Sequence, residues 1–314
     1  MARGGAGIGL GALFGLASAL SWGAGDFCGG LISRYTSVLA AMLASQGLGF
    51  FAVLAVLSFS GESAPGGDSV LWALFAGFSG VGGLGFFYLA LSRGTMGVVA
   101  PLAALIGAGV PVLVAIASGE PAPLLRISGI GLALLAVVLI SVPSKPADAA
   151  GKRALRLDLR ELPVVVLAGL GFAGFFIGID QASSVGAIWW PLTIVRLAGL
   201  ALVVGAIAVS VARGRSGHWS GRAAQALGVD RFRASGRGLS FALPLFALTG
   251  MGDLGGNVFF VLARQTDALS VAVVLSSLYP VVTTLLAALF LHERLSRGQL
   301  AGVVLATLSV PLLR

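Results

Sequence analysis

The sequence predicts an all-α membrane protein of ten transmembrane helices, arranged as two inverted five-helix repeats. Three observations support this fold class: an apolar composition, ten apolar segments of spanning length, and an internal repeat. Of the 314 residues, 57% are hydrophobic and 10% are charged, whereas soluble domains average roughly 25% charged residues. The 47 glycines also suit a membrane interior, where small residues let helix backbones approach closely.

Ten apolar segments are long enough to cross a bilayer, whose core of about 30 Å needs roughly 20 apolar residues in a helix. The first follows a short basic stretch, as in a secretory signal, but nine more follow it, so we interpret it as a span. The two long polar segments between spans have too few apolar residues for a soluble core. The predicted spans are residues 7–29, 37–59, 70–92, 96–118, 126–143, 163–181, 187–211, 240–263, 269–291 and 298–313.

The second half of the chain repeats the first. An offset of 173 residues lays 72–141 on 245–314 without a gap. Glu120 then meets Glu293, and Gly129 meets Gly302. The strongest identities place Gly77, Gly82, Gly83, Phe86, Phe87, Leu89 and Ala90 on Gly250, Gly255, Gly256, Phe259, Phe260, Leu262 and Ala263.

The early spans align less well, at an offset of 150 that puts Trp22 over Phe172 and Gln46 over Arg196. The predicted organisation is a first repeat at 1–143, a basic linker at 144–162 and a second repeat at 163–314. Because five spans is an odd number, the second repeat must enter the membrane in the opposite sense. Such repeats recur in secondary transporters, with the solute site at their interface.

Other classes of protein fit the sequence poorly. The net charge of +8 does not indicate nucleic-acid binding, because the basic residues lie between apolar segments. The single cysteine, Cys28, cannot form an internal disulfide, and His218 and His292 lie in predicted loops. We therefore expect no metal, cofactor or catalytic cluster, which argues against an integral-membrane enzyme. A membrane-embedded partner or sensor that does not transport is the remaining alternative.

Two segments near the ends of the halves carry a family signature. ASGEPAPLLRISGIGLALLAVVL and FLHERLSRGQLAGVVLATLSV each contain a glutamate followed nine residues later by glycine. Together with LSSLYPVVTTLLAALFLHERLS and ALSWGAGDFCGGLISR, they resemble the drug/metabolite transporter superfamily, EamA type. The resemblance implies a ten-helix basket with a central cavity lined mainly by spans 1–4 and 6–9. Gly107, which matches Pro280, departs from the family pattern.

Charged side chains within spans are costly and indicate functional positions. Arg196 and Asp253 lie at matching depths in spans 7 and 8, so we expect them to pair or to share the cavity. A purely structural salt bridge between the two spans is the alternative. Asp26 and Asp180 lie near span ends, where a solvated helix end is as good an interpretation as a functional site.

Further polar residues share helix faces with these charges. Asn257 lies one turn after Asp253, and Pro280 removes one backbone hydrogen bond from span 9. We interpret Gly82, Gly83, Gly255 and Gly256 as close-packing sites. The predicted solute-binding or cavity-lining set is Trp22, Asp26, Gln46, Tyr88, Thr193, Arg196, Asp253, Asn257, Ser276, Tyr279 and Thr283.

These features favour a gradient-driven carrier in the inner membrane that exports small metabolites or drug-like solutes. Arg196 and the nearby aromatic residues are compatible with an amino-acid-like solute. Asp26 and Asp253 are the candidates for proton coupling. Fifteen Lys and Arg residues lie in loops after odd-numbered spans and four on the other face with both termini. The positive-inside rule then places the termini outside, although many members of the resembled family are thought to keep them in the cytoplasm.

Overall fold

The computed structural model describes residues 9–93, 96–142, 162–184, 186–213 and 219–313, which fold into helices joined mostly by short turns. The predicted basic linker lies outside these residues, except for Leu162. In chain order the helices are α1 (Leu10–Ser33), α2 (Val38–Ser60), α3 (Gly67–Arg93), α4 (Met96–Ala117), α5 (Leu124–Ser141), α6 (Leu162–Ala182), α7 (Trp189–Arg213), α8 (Trp219–Leu227), α9 (Val229–Ala234), α10 (Leu239–Thr266), α11 (Leu269–Ser276), α12 (Tyr279–Phe290) and α13 (Arg297–Ser309), which a 3₁₀ turn extends to Leu313.

Within the described residues, eight helical segments are long and apolar enough to cross a membrane. They correspond to predicted spans 2 to 9. Helix α1 has 24 residues, enough to span at 1.5 Å per residue, but its glycines, serines and Asp26 lower its hydropathy. The last apolar helix, Arg297–Leu313, is shorter. Length and composition thus support eight spans, and the first and tenth stay predictions.

The ninth predicted span is two helices rather than one. Helix α11 ends at Ser276, and α12 begins at Tyr279 with Pro280 in its first turn. Proline lacks an N–H and its ring clashes with the preceding turn, so the helix breaks where the sequence predicts a disturbed hydrogen bond. The predicted loop 212–239 also forms short helices, α8 and α9, which the polar composition did not suggest.

The helices of the two halves pack in matching pairs. Helix α1 lies along α10 and α3 lies along α6, which are the most extensive contacts. Likewise α1 contacts α11 and α12 while α6 contacts α4, and α2 contacts α10 while α7 contacts α3. The pairs α2–α7 and α5–α13 join equivalent helices. Exchanging the two halves therefore reproduces these pairings, so the sequence repeat is also a repeat of the main helix contacts.

Glycines lie at the tightest of these crossings. A Cβ on Gly129 of α5 would approach Leu312 Cβ to 2.9 Å, and a Cβ on Gly302 of α13 would approach Ile140 Cγ1 to 2.6 Å. The glycine of the repeated family motif therefore lets α5 and α13 meet. Of the four predicted close-packing glycines, three meet a neighbouring helix and Gly82 faces open space, so the prediction was wrong for Gly82.

Gly83 and Gly82 offer a matched test of this packing. A Cβ on Gly83 would lie 2.9 Å from Gly171 Cα of α6, whereas a Cβ on Gly82 would meet nothing within 4 Å. We expect Gly83→Val to lower the free energy of unfolding by about 1–3 kcal/mol through overpacking. Gly82→Val should change it far less, as measured by thermal unfolding in detergent. Equal effects of the two substitutions would contradict the packing described here.

Candidate functional site

A cleft of about 140 Å³ opens between α1, α2, α3 and α10. Its mouth lies at the α1–α2 turn, where Ser33 and Val38 line it, and it reaches inward to Asp253. Four of the predicted cavity residues lie on its wall: Asp26, Gln46, Tyr88 and Asp253. We call this space the central cleft.

Three donors converge on one carboxylate oxygen at the inner end of the central cleft. Arg196 Nη1 donates to Asp253 Oδ2 at 2.5 Å. Ser45 Oγ donates to the same oxygen, and Gln46 Nε2 lies 3.4 Å from it. The Arg196 side chain is 1% exposed and that of Asp253 is 30% exposed, so the pair presents its carboxylate, rather than its guanidinium, to solvent.

The guanidinium of Arg196 has spare hydrogen-bonding capacity. Its Nε and Nη2 are buried and find no hydrogen-bond partner among the described residues. Leaving such donors unsatisfied costs about 1–3 kcal/mol or more for a charged group.

Two glycines make room for the polar side chains at the α2–α7 crossing. A Cβ on Gly49 would approach Arg196 Nε to 3.2 Å, and a Cβ on Gly199 would collide with Gln46 Oε1. The offset of 150 residues that pairs Gln46 with Arg196 also pairs Gly49 with Gly199. The weak early part of the repeat thus corresponds to a real structural equivalence, in which each half supplies one polar side chain and one glycine.

An aromatic cluster lies beside this polar centre. Trp22 Nε1 donates to Asn257 Oδ1 at 3.0 Å, and a Cβ on Gly256 would collide with the indole ring. The indole contacts four aromatic rings at centroid distances of 5.8 to 6.2 Å. We call this set the aromatic cluster: Trp22, Phe175, Phe176, Phe260 and Tyr279.

The other predicted residues lie away from the central cleft wall. Thr193 Oγ1 donates to Trp189 O at 2.7 Å, and Thr283 Oγ1 donates to the carbonyls of Gly23 and Tyr279, each at 3.1 Å. Threonine hydroxyls in helices are commonly satisfied in this way by the preceding turn. Ser276 is fully buried, and its hydroxyl has no hydrogen-bond partner among the described residues.

Sequence reasoning missed several polar residues. Ser45 contacts Asp253 but is a small residue next to Gln46, with no pattern that singles it out. Glu62 accepts hydrogen bonds from the backbone N–H groups of residues 188–190 at the start of α7, at 2.9 to 3.0 Å. Asp180, interpreted as a helix end or a functional group, forms an ion pair with Arg264. A contact between residues so distant in sequence leaves no local signal in the sequence.

The family glutamate Glu120 also has a defined partner. Ser270 N donates to Glu120 Oε2 at 3.3 Å, and Ser270 Oγ donates to Oε1. A carboxylate at this place accepts from a free backbone N–H at the start of α11. The positive end of the helix dipole also stabilises its negative charge. The equivalent Glu293 lies 3.7 Å from Arg34, with both side chains more than half exposed.

Comparison with known proteins gives this geometry a context. The sequence profile of the EamA-like transporter family matches residues 9–142 and 159–314. The chain belongs to the EamA-like transporter family. The two matches fall on the two halves found in the repeat, and the predicted resemblance to the drug/metabolite transporter superfamily is confirmed.

Solved structures share the fold of this EamA-like protein, and 27 chains match. One of them, described only as a crystal structure of a protein, covers 98% of this chain and 98% of its own length. Its TM-score is 0.66 at 15% sequence identity, so the likeness concerns the fold alone. A search of curated proteins finds no match.

Membership of the EamA-like family indicates a multi-pass membrane protein that transports small solutes. The family is one of transporters rather than of enzymes. Among the described residues, no group of three or more His, Cys, Asp or Glu side chains could hold a metal ion.

The Arg196–Asp253 pair should show strong energetic coupling. Breaking a buried ion pair from one side costs about 3 kcal/mol or more, so we expect Arg196→Gln to lower the thermal stability sharply. The double variant Arg196→Gln, Asp253→Asn should lose less than the sum of the single variants, by about 0.5–3 kcal/mol.

The exposed Arg34–Glu293 pair provides the control for this cycle. Arg34→Gln should change stability by less than about 1 kcal/mol, because exposed ion pairs contribute little. Strictly additive losses from Arg196→Gln and Asp253→Asn would contradict the pairing. The wild type and the four variants are compared by thermal unfolding in the same detergent.

Proposed function

We propose that this protein exports a small, amino-acid-like solute across the inner membrane by gradient-driven alternating access. The observation that supports this function is the central cleft, which ends on Asp253 held by buried Arg196. A positively charged solute group can reach Asp253 from the central cleft. The unpartnered donors of Arg196 are buried, and a solute carboxylate would meet them when the surrounding helices move apart during transport. A charge pair whose two members can each bind a group of the solute suits binding and release better than a closed core.

The size of the central cleft favours a metabolite over a drug-sized molecule. Its volume is about 140 Å³, whereas pockets for drug-sized ligands usually have about 300–1,000 Å³. Tyr88 lines the wall and Trp22 lies in the adjacent aromatic cluster. These rings would contact an apolar part of the solute while the charged end meets Arg196 and Asp253.

Alternating access follows from the proposed inversion of the two repeats. Five spans per half bring the second half into the membrane in the opposite sense, and the packing pairs exchange between halves as a pseudo-two-fold axis requires. The aromatic cluster lies beside the inner end of the central cleft and would close the path beyond it. We interpret this arrangement as the state open to the side of the α1–α2 turn.

The charge distribution supports the proposed direction of transport. The sequence assigns the α1–α2 turn to the face whose predicted loops contain fifteen of the Lys and Arg residues, and the positive-inside rule assigns that face to the cytoplasm. The central cleft would then load its solute from the cytoplasm, as an exporter requires. Both termini would lie outside.

Proton exchange is the proposed energy source. Asp26 and Asp253 both line the central cleft, and Asp26 has neither a hydrogen bond nor a counter-ion among the described residues. A carboxylate without a counter-ion can gain and lose a proton during a transport cycle. Asp253, by contrast, is held by Arg196 and is better suited to contact the solute.

Transport by proteoliposomes tests this function. We expect at least one member of a panel of radiolabelled L-amino acids to cross the membrane in a protein-dependent way, faster with an opposing proton gradient. Asp253→Asn and Arg196→Gln should each lower the rate at least about tenfold, since each removes one charge of the solute site. Asp26→Asn should abolish the response to the gradient.

Asp68→Asn is the matched control, because Asp68 is an exposed carboxylate in the first turn of α3, outside the central cleft, and the transport rate of this variant should stay unchanged. No protein-dependent flux of any member would overturn the proposal and favour a membrane-embedded partner or sensor. A transport rate that is unchanged in Asp253→Asn and Arg196→Gln would place the solute site elsewhere.

A reporter fused to the C-terminus tests the orientation. Alkaline phosphatase is active only outside the cytoplasm. Green fluorescent protein fluoresces only inside the cytoplasm, because it does not become fluorescent after Sec export. We expect phosphatase activity and no fluorescence from the C-terminal fusions. Fluorescent, phosphatase-inactive fusions would show that both termini are cytoplasmic and that the central cleft opens outward.

A further inference from the structure

A second cleft, of about 370 Å³, opens between the ends of α6 and α10. It lies at the ends of these helices that face the α6–α7 turn, opposite the mouth of the central cleft. We call it the distal cleft. Its wall includes Ile179, Asp180, Ser183, Phe260, Val261 and Arg264.

The polar groups of the distal cleft form an incomplete binding set. Asp180 is 7% exposed and forms an ion pair with Arg264, which is 40% exposed. Ser183 is 5% exposed, and its hydroxyl is buried without a hydrogen-bond partner among the described residues. A buried unsatisfied hydroxyl is costly, and here it belongs to a residue that lines a cavity. The set therefore offers an anion, a cation and a spare hydrogen-bonding group within one space.

The distal cleft lies on the same helix face as the central cleft. Asp253, Asn257, Val261 and Arg264 recur at intervals of three or four residues, which places them along one side of α10. Eleven residues separate Asp253 from Arg264, or roughly 16 Å at 1.5 Å per residue. Phe260 lines the distal cleft and also belongs to the aromatic cluster, so that cluster stands between the two spaces.

The internal repeat relates the two clefts. The offset of 173 pairs Val261 with Tyr88, and the offset of 150 pairs Ser183 with Ser33. Tyr88 and Ser33 line the central cleft, whereas Val261 and Ser183 line the distal cleft. Equivalent positions of the two halves therefore form two vestibules, one at each face of the protein. Each has an ion pair: Arg196–Asp253 at the inner end of the central cleft and Asp180–Arg264 on the wall of the distal cleft.

We propose that the distal cleft is a second solute site, which binds a zwitterionic amino-acid-like solute between Asp180 and Arg264. It rests on the proposed function for its place on the solute path. The solute carboxylate pairs with Arg264, its ammonium pairs with Asp180, and Ser183 Oγ forms a further hydrogen bond. Ile179 and Val261 contact the apolar side chain. Because the solute replaces each partner of the ion pair with a like charge, neither Asp180 nor Arg264 is left without a counter-charge.

Binding is measured on the full-length protein in detergent by thermal shift, with the twenty proteinogenic L-amino acids as probes. The background is the double variant Arg196→Gln, Asp253→Asn, in which the central pair is removed. We expect a saturable rise in Tm with at least one amino acid. The N-acetylated and C-amidated forms of that amino acid should bind at least about tenfold more weakly, since each lacks one charge.

Site variants locate the binding. In the same background, Arg264→Gln and Ser183→Val should each weaken binding at least about tenfold. Arg126→Gln is the matched control, since Arg126 also lies near a carboxylate on this face, 4.0 Å from Glu120, but outside the distal cleft; it should bind normally. A second readout uses the unaltered central pair. Ser184 also lines the distal cleft and is exposed, so in a Cys28→Ala, Ser184→Cys protein the bound amino acid should slow thiol labelling by sulfonatoethyl methanethiosulfonate at least about fivefold.

Three results would overturn the second site: no amino acid gives a saturable shift in Tm, Arg264→Gln and Ser183→Val leave binding intact, or the amino acid does not slow labelling of the Ser184→Cys protein. The transport assay and the binding assays at the distal cleft give independent results. Binding at the distal cleft without flux would reject the proposed function alone. Flux that depends on Asp253 and Arg196, with no binding at the distal cleft, would reject this inference alone.

Discussion

The positive charge of Arg196 is the constraint on which the centre of this protein depends. A guanidinium stays charged at any ordinary pH, and this one is almost fully buried within an apolar helix bundle. It must therefore meet a carboxylate, which α10 supplies as Asp253. Since Ser45 and Gln46 of α2 reach the same oxygen, one charge brings three helices from both halves to a common point.

Small residues make this convergence possible. Helix backbones that cross at glycine leave space for one large polar side chain, as Gly49 does for Arg196 and Gly199 does for Gln46. The same principle lets Gly256 accommodate the indole of Trp22. In a bilayer the hydrophobic effect does not drive helices together, so close packing and interhelical hydrogen bonds take on that role. The high glycine content is thus part of how the site is built.

The two clefts and the aromatic cluster together suggest how the proposed carrier limits access. The central cleft is open at one face, and on the other side of the cluster lies the distal cleft with its own ion pair. Glu62 and Glu120 hold the starts of α7 and α11 by hydrogen bonds to their backbone N–H groups. These contacts join loops of one half to helices of the other. They are suited to keeping one face closed while the opposite cleft is open.

Much of the architecture was accessible from the sequence alone. Apolar segments, the repeat and the family signature depend on composition and order along the chain, so eight spans and the two halves could be read directly. The depth of Arg196 and Asp253 also follows from counting residues along a helix. The tertiary structure decided which polar groups meet. Thr193, Ser276 and Thr283 have suitable spacing, yet helix rotation directs them away from the central cleft, whereas Ser45, Asp180 and Arg264 gain their partners only through packing between distant segments. Local periodicity determines a helix and its faces, but the rotation and crossing of helices depend on side-chain fit across the whole bundle.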